Sequence, residues 1–281
     1  MSSTLIVGAG WLGQPLAHSL LKHNHSVWVT KTSSQGVEEI QLTGLKALEL
    51  QLPLLPSEQQ TFTKLISDSK ITTLIGCFPP GFRAGNGDRY ARQWASLIRA
   101  VQHSSVNKVI MVSSTTVYPD VDSCLTELDA SLALASDNAC FSDNARVMLK
   151  AEQSLIDSGL NYVIIRCAGL FGPQRHPARF VNKLKTVSTV APANMLHLHD
   201  AIGIIEFSHA QLSNQIINAA SPTFISKADF YQAAIDSAED DSLTLPEKSD
   251  KAGKQISAQK VSSLGYKFTF ESAKKGLFHC R

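Results

Sequence analysis

Short apolar segments and helix-like patterns alternate along the first two thirds of the chain. Apolar segments of strand length occupy positions 4–7, 26–30, 45–50, 71–78, 108–112 and 161–167. Between them, apolar residues recur at helical spacing, as Leu12, Leu16 and Leu20 do. Strands that alternate with helices predict a parallel sheet covered by helices on both faces. The predicted fold class is therefore α/β, a Rossmann-type doubly wound sheet whose ligand lies at the carboxyl ends of the strands.

The regular alternation ends near Gly172. Beyond it the pattern predicts a few short elements: strands near 195–198 and 215–219, and helices near Asp200 and Lys227. A polar stretch over 248–254 is typical of a mobile segment. We therefore predict a main Rossmann domain over residues 1–172 and a small α/β substrate lobe over 173–281 that exchanges segments with the main sheet.

Composition excludes several classes of protein. The 281 residues are 43% hydrophobic, which supports a large core rather than disorder. The net charge is +2 without a basic block, so nucleic acid is not an expected partner. No apolar run approaches the roughly 20 residues that span a bilayer, and the N-terminus does not resemble a signal peptide. The five scattered cysteines lack metal or disulfide spacing and are typical of reduced thiols, so we predict a cytoplasmic protein.

The first predicted strand runs directly into a glycine-rich turn, Gly8-Ala9-Gly10-Trp11-Leu12-Gly13, and a helix follows at once. This arrangement is typical of sites for a dinucleotide pyrophosphate. Gly8 permits the tight turn, Gly10 lets backbone N–H groups approach phosphate oxygens, and Gly13 lets the helix pack on the strand. Trp11 and Leu12 are expected to join this cofactor site. The alternative is a plain strand-turn-helix whose glycines serve packing alone.

The end of the second predicted strand indicates which dinucleotide binds. NAD-specific sites place an acidic residue there to bind the ribose 2′-OH. This chain instead has Lys31 and Thr32, followed by two serines. A cation and hydroxyls would attract a 2′-phosphate, so the sequence favours NADP, with NAD still open. The alternative is that Lys31 is a solvated surface charge. Phe78, at the end of the fourth strand, is also assigned to the cofactor site.

Several segments, in this order, resemble the extended short-chain dehydrogenase/reductase family, in particular its nucleotide-sugar epimerase and dehydratase group. They are the glycine turn, Ser113-Ser114-Thr115-Thr116-Val117-Tyr118, 166–173, 197–200, 217–219 and 264–266. The resemblance covers almost the whole chain and implies NAD(P) binding. It also implies a catalytic role for Ser114, which falls at the family's serine position and would share a hydrogen bond with the substrate oxygen.

The helix after the fifth strand departs from the family pattern. The family places a Tyr and a Lys four residues apart there, the Tyr as acid/base and the Lys to lower its pKa. In this chain those positions hold Asn144 and Met148, and Lys150 should point elsewhere on the helix. Asn cannot act as an acid/base at neutral pH, and Met cannot lower the pKa of a phenol. The resemblance therefore does not imply the epimerase reaction, and whether the protein is an enzyme stays open.

Other polar residues fall on the predicted ligand side. Arg175 is a candidate clamp for an anionic substrate, and His176 a candidate catalytic acid/base; the alternative is that both stabilise their turn. Arg83 is a second candidate substrate-binding residue, or an ordinary solvated arginine. His197 and His199 have spacing that suits a metal on a strand, but without a third ligand we predict no metal site. We expect Cys77, Cys167 and Tyr118 to have packing roles rather than catalytic ones.

Three functions remain open from the sequence. The first is an NADP-dependent oxidoreductase or epimerase acting on a nucleotide-sugar-like or other polar metabolite, with His176 or a water moving the proton. The second is a non-catalytic regulatory protein that senses NADP(H), which the missing Tyr and Lys favour. The third, a scaffold that no longer binds nucleotide, is disfavoured by the glycine turn. A small-molecule substrate is expected, without a membrane partner, and a homodimer only by resemblance.

Overall fold

The fold is given by a computed structural model that describes residues 3–82, 85, 87–238 and 240–280. Its strands are β1 (Ser3–Val7), β2 (Ser26–Lys31), β3 (Lys46–Glu49), β4 (Ile71–Gly76), β5 (Lys108–Ser114), β6 (Cys124–Leu125), β7 (Asn161–Cys167), β8 (Gly169–Phe171), β9 (Thr186–Ser188), β10 (Met195–His197), β11 (Gln215–Ala219), β12 (Glu247–Ser249) and β13 (Gln255–Ile256). Its α-helices are α1 (Gly13–Lys22), α2 (Ser34–Gln41), α3 (Pro56–Asp68), α4 (Gly87–Val101), α5 (Leu132–Ala135), α6 (Asp143–Ile156), α7 (Leu198–Gln211), α8 (Lys227–Ala238), α9 (Gln259–Ser263) and α10 (Ala273–Leu277).

A parallel sheet of seven strands forms the centre, in the order β3-β2-β1-β4-β5-β7-β11. The chain builds outward from β1 to β3, and then returns to add β4 and its successors on the other side of β1. The strand order therefore reverses between β1 and β4, where ligands of doubly wound sheets bind. The predicted α/β Rossmann-type fold is confirmed.

Helices cover both faces of this sheet. On β7, the consecutive residues Val163, Ile164 and Ile165 are all fully buried, although neighbouring strand residues point to opposite faces. Helix α1 packs against α7, whereas α3, α4 and α6 form a second packed layer. Helix α3 begins at Pro56, where the Glu58 carboxylate accepts a hydrogen bond from the Leu55 N–H at 2.8 Å.

Residues beyond 172 contribute to the central sheet as well as to smaller pairs. Strand β11 extends the sheet by pairing with β7 along its whole length, while β8 pairs with β10 and β9 with β12. The polar stretch over 248–254, expected to look mobile, is instead tied to β9: Ser249 O accepts from Thr189 N at 2.8 Å and Lys251 O from Ser188 Oγ at 2.7 Å. The division at residue 172 stays a prediction.

A buried polar network lies behind the carboxyl ends of β5 and β7. The Arg166 guanidinium donates to the Glu152 carboxylate, and its Nη1 donates to Tyr118 Oη at 3.1 Å. Glu152 also accepts from Ser113 Oγ at 2.6 Å, and Tyr118 donates to Asn218 Oδ1 at 2.6 Å. The network joins β5, α6, β7 and β11, and so fixes the end of β5 where the candidate site begins.

Candidate functional site

The glycine turn between β1 and α1 has the geometry that a phosphate group needs. Gly8 has a φ of +99° and donates its N–H to Thr30 Oγ1 at 3.0 Å, which anchors the turn to β2. A Cβ at Gly13 would lie 2.2 Å from Gly8 O, so only glycine lets α1 pack this closely. A Cβ at Gly10 would meet no described atom within 4 Å, so this residue leaves open space for a ligand rather than for packing.

The N-terminus of α1 points at the same space. Its N-cap residue, Leu12, provides no side-chain hydrogen bond, and the first turn carries no acidic residue. The first N–H groups of a helix have no partner within it, and the helix dipole makes this end positive. These features together fit the pyrophosphate of a dinucleotide.

A hollow of about 250 Å³ lies beside the turn, at the carboxyl ends of β1, β2 and β3. We call it the β3-side hollow; its lining includes Gly8, Thr30, Thr32, Leu50, Gln51, Leu52, Phe78 and Arg89. Thr32 and Phe78 were assigned to the cofactor site from the sequence, whereas Gln51, Leu52 and Arg89 were missed. Arg89 Nη2 donates to Leu52 O at 2.9 Å and so holds the loop after β3 against α4. The available signal was the position of Gln51 and Leu52 directly after the strand predicted over 45–50.

A larger cavity of about 550 Å³ lies across the switch point, at the ends of β4, β5 and β7. We call it the β5-side cavity; its lining includes Gly10, Trp11, Leu12, Cys77, Phe78, Ser113, Ser114, Thr115, Thr116, Met148, Cys167 and Arg175. Phe78 lines both this cavity and the β3-side hollow. The two spaces therefore adjoin at the point where the strand order reverses, with the glycine turn between them.

The residues that replace the family's catalytic pair differ in position. Met148 lines the β5-side cavity and is 1% exposed, whereas Asn144, one turn earlier, is exposed and is not among its described lining residues. Lys150 is also exposed, as expected from its place on the helix. Ser114 does line the cavity; its Oγ accepts from Thr116 N at 3.1 Å and lies 3.0 Å from Thr116 Oγ1. The cavity thus brings together a pair of hydroxyls but not the Tyr and Lys of the family.

Among the described lining residues, the titratable groups of the β5-side cavity are Cys77, Cys167 and Arg175. Burial raises the pKa of the Cys77 thiol, with a further contribution from Cys167, and burial raises the pKa of Cys167 to about 12. Both thiols therefore stay protonated at neutral pH, which agrees with packing rather than nucleophilic roles. None of these groups exchanges a proton near neutrality, so proton transfer in this cavity would depend on water.

Arg175, the last residue of the turn Gly172-Pro173-Gln174-Arg175, lines the cavity. Trp11 Nε1 donates to Pro173 O at 2.8 Å, and the Arg175 guanidinium carbon lies 5.2 Å from the centre of the Trp11 ring. His176 is placed differently: its Nδ1 accepts from Ala178 N at 3.3 Å and its Nε2 lies 3.3 Å from Ser237 Oγ. It is not among the described residues that line the cavity, so its catalytic role stays a prediction. Arg83 lies outside the described residues.

Lys31 and Thr32, at the end of β2, line two different spaces. Thr32 faces the β3-side hollow, but Lys31 lines a separate hollow beside α1. The following hydroxyls have other partners: Ser33 Oγ accepts from Gly36 N at 3.2 Å and Ser34 Oγ donates to Glu49 Oε2 at 2.7 Å. The expectation that they assist a 2′-phosphate is therefore weakened, and the preference for NADP rests on Lys31 and Thr32.

The two histidines with metal-like spacing do not share a strand. His197 ends β10 and His199 lies in the first turn of α7, where His197 Nδ1 accepts from His199 N at 3.1 Å. Burial lowers the pKa of His197, which caps the helix as a neutral ring. Residues 3–82, 85, 87–238 and 240–280 contain no group of three or more His, Cys, Asp or Glu that could hold a metal ion. In the same part of the chain, no helix combines the length and apolar character needed to cross a bilayer.

The reversed strand order, the glycine turn and the adjoining spaces define a Rossmann-type protein with the architecture of a dinucleotide site. The model of the NAD-dependent epimerase/dehydratase family matches residues 4–208. The chain therefore belongs to this family, and the resemblance inferred from the sequence is confirmed. Membership supports a nicotinamide dinucleotide as the cofactor.

Individual relatives agree with this assignment. The chain is 30% identical to Protein YeeZ of Escherichia coli strain K12 over 236 residues, which are 82% of each protein. Its fold is similar to that of the enzyme WbmH of Bordetella bronchiseptica in complex with NAD+, with a TM-score of 0.76, 16% identity and coverage of 100% of this chain and 97% of that chain. It is also similar to UDP-glucuronic acid 4-epimerase of Bacillus cereus in complex with NAD, with a TM-score of 0.74, 17% identity and coverage of 99% and 97%. At these identities the solved structures establish the fold alone.

Proposed function

We propose that the protein binds NADP(H) across its switch point and acts as an oxidoreductase or epimerase on a nucleotide-sugar-like or other polar metabolite. The observation that carries this proposal is the continuity of the β3-side hollow and the β5-side cavity through Phe78, with the open space above Gly10 between them. A dinucleotide needs two such spaces joined at a phosphate-binding turn. NAD remains the alternative coenzyme.

The residues that would hold the coenzyme follow from this geometry. The β3-side hollow would take the adenosine half, the amides at the start of α1 the pyrophosphate, and the β5-side cavity the nicotinamide half. When bound, the coenzyme supplies a hydride acceptor or donor. Support for a nucleotide-sugar substrate comes from the Bacillus cereus relative, a UDP-glucuronic acid epimerase, and Arg175 in the cavity wall would attract an anionic group.

Few of the chain's own residues are assigned a direct role in the reaction. Ser114 holds the reacting oxygen of the substrate, and its contact with Thr116 Oγ1 orients both hydroxyls. Proton transfer is assigned to a water bound by these hydroxyls rather than to His176, because the imidazole is held by Ala178 and Ser237 outside the cavity lining. The apolar neighbours, including Met148, limit the number of other waters that reach this point.

A specific observation favours a second function, a non-catalytic protein that senses NADP(H). The described lining of the β5-side cavity carries no group that titrates near neutral pH, and the resemblance places the buried Met148 where the family has its lysine. Such a protein would bind the oxidised and reduced coenzymes without turnover.

The cytoplasmic location and the homodimer expected from the sequence also stay predictions.

Calorimetry with NADP, NADPH and NAD, followed by NADPH oxidation and sugar-epimerisation assays on a panel of nucleotide sugars, tests both functions. The enzymatic proposal expects turnover that falls at least about tenfold in Ser114→Ala with unchanged coenzyme affinity. Ser154→Ala is the matched control, because Ser154 is half-buried on α6, does not line either space as described, and donates its Oγ to Lys150 O of its own helix at 2.9 Å. Coenzyme binding without turnover would favour the sensor, and absence of binding would reject both functions.

A further inference from the structure

Trp11 has its backbone in the coenzyme turn, but its side chain contacts the turn that carries Arg175. The residue lies between Gly10 and Gly13, and its indole lines the β5-side cavity. We propose that the Trp11 side chain is a positioning residue: it holds the 172–175 turn, fixes the guanidinium of Arg175, and so makes the cavity selective for a substrate that carries a carboxylate. This inference rests on the proposed function, which gives Arg175 to the substrate.

The 172–175 turn is closed on itself by backbone hydrogen bonds. Arg175 N donates to Gly172 O at 2.9 Å, and Gly172 N donates back to Arg175 O at 3.4 Å. Arg179 Nη1, from the residues that follow the turn, donates to Gln174 O at 2.7 Å. Because these bonds fix the internal shape of the turn, a contact that places the turn also places the backbone of Arg175.

The Trp11 indole contacts this turn in two ways. Its Nε1 donates to Pro173 O at 2.8 Å, a hydrogen bond that joins residues 162 positions apart in the chain. The centre of its ring lies 5.2 Å from the Arg175 guanidinium carbon, within the range of a cation–π interaction. The hydrogen bond places the middle of the turn. The ring attracts the planar guanidinium and limits its orientations.

The pyrophosphate of the coenzyme does not explain these contacts. A phosphate at the start of a helix is held by backbone N–H groups, which a residue with another side chain at position 11 would also supply. The indole of Trp11 is directed to Pro173 and Arg175 instead. One residue therefore serves the coenzyme with its backbone and the 172–175 turn with its side chain.

The charge of the β5-side cavity indicates which substrate group Arg175 would bind. Among the described residues that line this cavity, Arg175 alone is charged at neutral pH, since burial keeps the thiols of Cys77 and Cys167 protonated. One cation matches one negative charge, and a guanidinium pairs with a carboxylate through two parallel hydrogen bonds. That pairing requires a fixed guanidinium plane, which the Trp11 ring provides.

Calorimetry with UDP-glucuronic acid and UDP-glucose, which differ in one carboxylate, tests the proposal on full-length protein saturated with coenzyme. We expect the wild type to prefer UDP-glucuronic acid and Trp11→Leu to reduce that preference roughly fivefold, because the cation–π contact and the hydrogen bond are both lost. Trp11→Phe keeps a ring without the N–H and should show a smaller reduction. Trp28→Phe is the matched control, because Trp28 is a half-buried tryptophan on β2 whose ring lies 5.6 Å from the Lys46 ammonium.

Two further measurements separate positioning from a general effect on the fold. In an Arg175→Gln background, Trp11→Leu should change the preference no further, because its effect acts through the guanidinium. Hydrogen exchange of the amides over 172–176, measured without ligand, should become faster in Trp11→Leu and Trp11→Phe. Trp28→Phe should keep the wild-type exchange rates in this segment.

A wild type without preference for UDP-glucuronic acid, or an equal preference in wild type and Trp11→Leu, would overturn the proposal. A full effect of Trp11→Leu in the Arg175→Gln background would overturn it as well. Coenzyme affinity is measured on the same samples. A protein that binds neither NADP nor NAD rejects the proposed function, and the exchange rates without ligand then decide whether Trp11 holds the turn. If Trp11→Leu does not fold, the smaller change Trp11→Phe decides.

Discussion

Glu152 Oε2 lies 2.8 Å from Arg166 Nη2, in an ion pair whose side chains are only 2% and 1% exposed. The pair connects α6, which carries Met148, to β7, the strand that leads toward the Arg175 turn. Arg166 also donates to Glu127 O and Ala130 O, so the network holds the segment between β5 and α6. The position of the β5-side cavity therefore depends on a buried charge pair that is not among the described residues lining it.

Removal of one member of this pair should destabilise the protein strongly. In Glu152→Ala the Arg166 guanidinium would stay buried without its counter-charge, and we expect a loss of about 3–5 kcal/mol in the free energy of unfolding. Urea denaturation measures this loss. Asp68→Ala, which breaks the exposed Lys64–Asp68 pair, should cost less than about 1 kcal/mol. Equal costs for the two variants would contradict the structural role given to the buried pair.

The two glycines of the cofactor turn should respond to alanine in opposite ways. Gly10→Ala adds a Cβ in open space, so we expect stability within about 1 kcal/mol of the wild type but coenzyme affinity at least about tenfold weaker. Gly13→Ala places its Cβ 2.2 Å from Gly8 O and should lower the melting temperature markedly. Thermal unfolding without ligand, paired with calorimetry, separates the effects. Undiminished coenzyme affinity in a folded Gly10→Ala protein would contradict the assigned site.

Stability should fall in mild acid because of His209. Burial, with the nearby His25 and Lys108, lowers the pKa of His209 to about 4, whereas an unfolded histidine has a pKa of about 6.5. Between about pH 6.5 and pH 4, His209 therefore binds a proton in the unfolded chain but not in the folded chain. The contribution of His209 to the free energy of unfolding is fully present above about pH 6.5 and is lost as the pH falls toward 4.

Urea unfolding between pH 7.5 and 4.5 measures this contribution. His209→Gln should show a shallower decline of stability with falling pH than the wild type. His103→Gln, which removes an exposed imidazole after α4, is the control and should keep the wild-type slope. A wild-type slope in His209→Gln would place the acid sensitivity elsewhere in the molecule.

The turn at Gln174 should become more stable with glycine in its third position. Gln174→Gly removes the cost of a positive φ, partly offset by the greater freedom of glycine in the unfolded chain, for a net gain of about 0.5 kcal/mol. Gln174→Ala keeps that cost and should show no gain. Thermal unfolding of both variants measures this difference. Equal stability of Gln174→Gly and Gln174→Ala would contradict a conformational cost at this turn.

The sequence predicted the elements of the central sheet well, because buried parallel strands require continuous apolar segments. The strand Asn161–Cys167 was located at its observed bounds, and 215–219 likewise. The glycine turn was equally accessible, since strand, glycines and helix are adjacent in the chain. Prediction worked where the cause of a structure is local.

Features that depend on contacts between distant residues were not accessible. His176 was a reasonable acid/base candidate, but its contact with Ser237 comes from a helix far along the chain. Lys31 and Thr32 were assigned to one site, although successive residues of an extended chain face opposite sides; this local signal was present in the sequence. Arg89 in the β3-side hollow depends on how α4 packs beside the loop after β3.

The pairing of β11 with β7 has a consequence for synthesis of the chain. The edge of β7 that β11 covers stays bare until residues 215–219 have left the ribosome. The unpaired backbone donors and acceptors of an exposed strand edge form hydrogen bonds with strands of other chains, which promotes aggregation. A fragment that stops at residue 172 would keep this unpaired strand edge exposed permanently, and nascent chains would expose it until β11 has emerged.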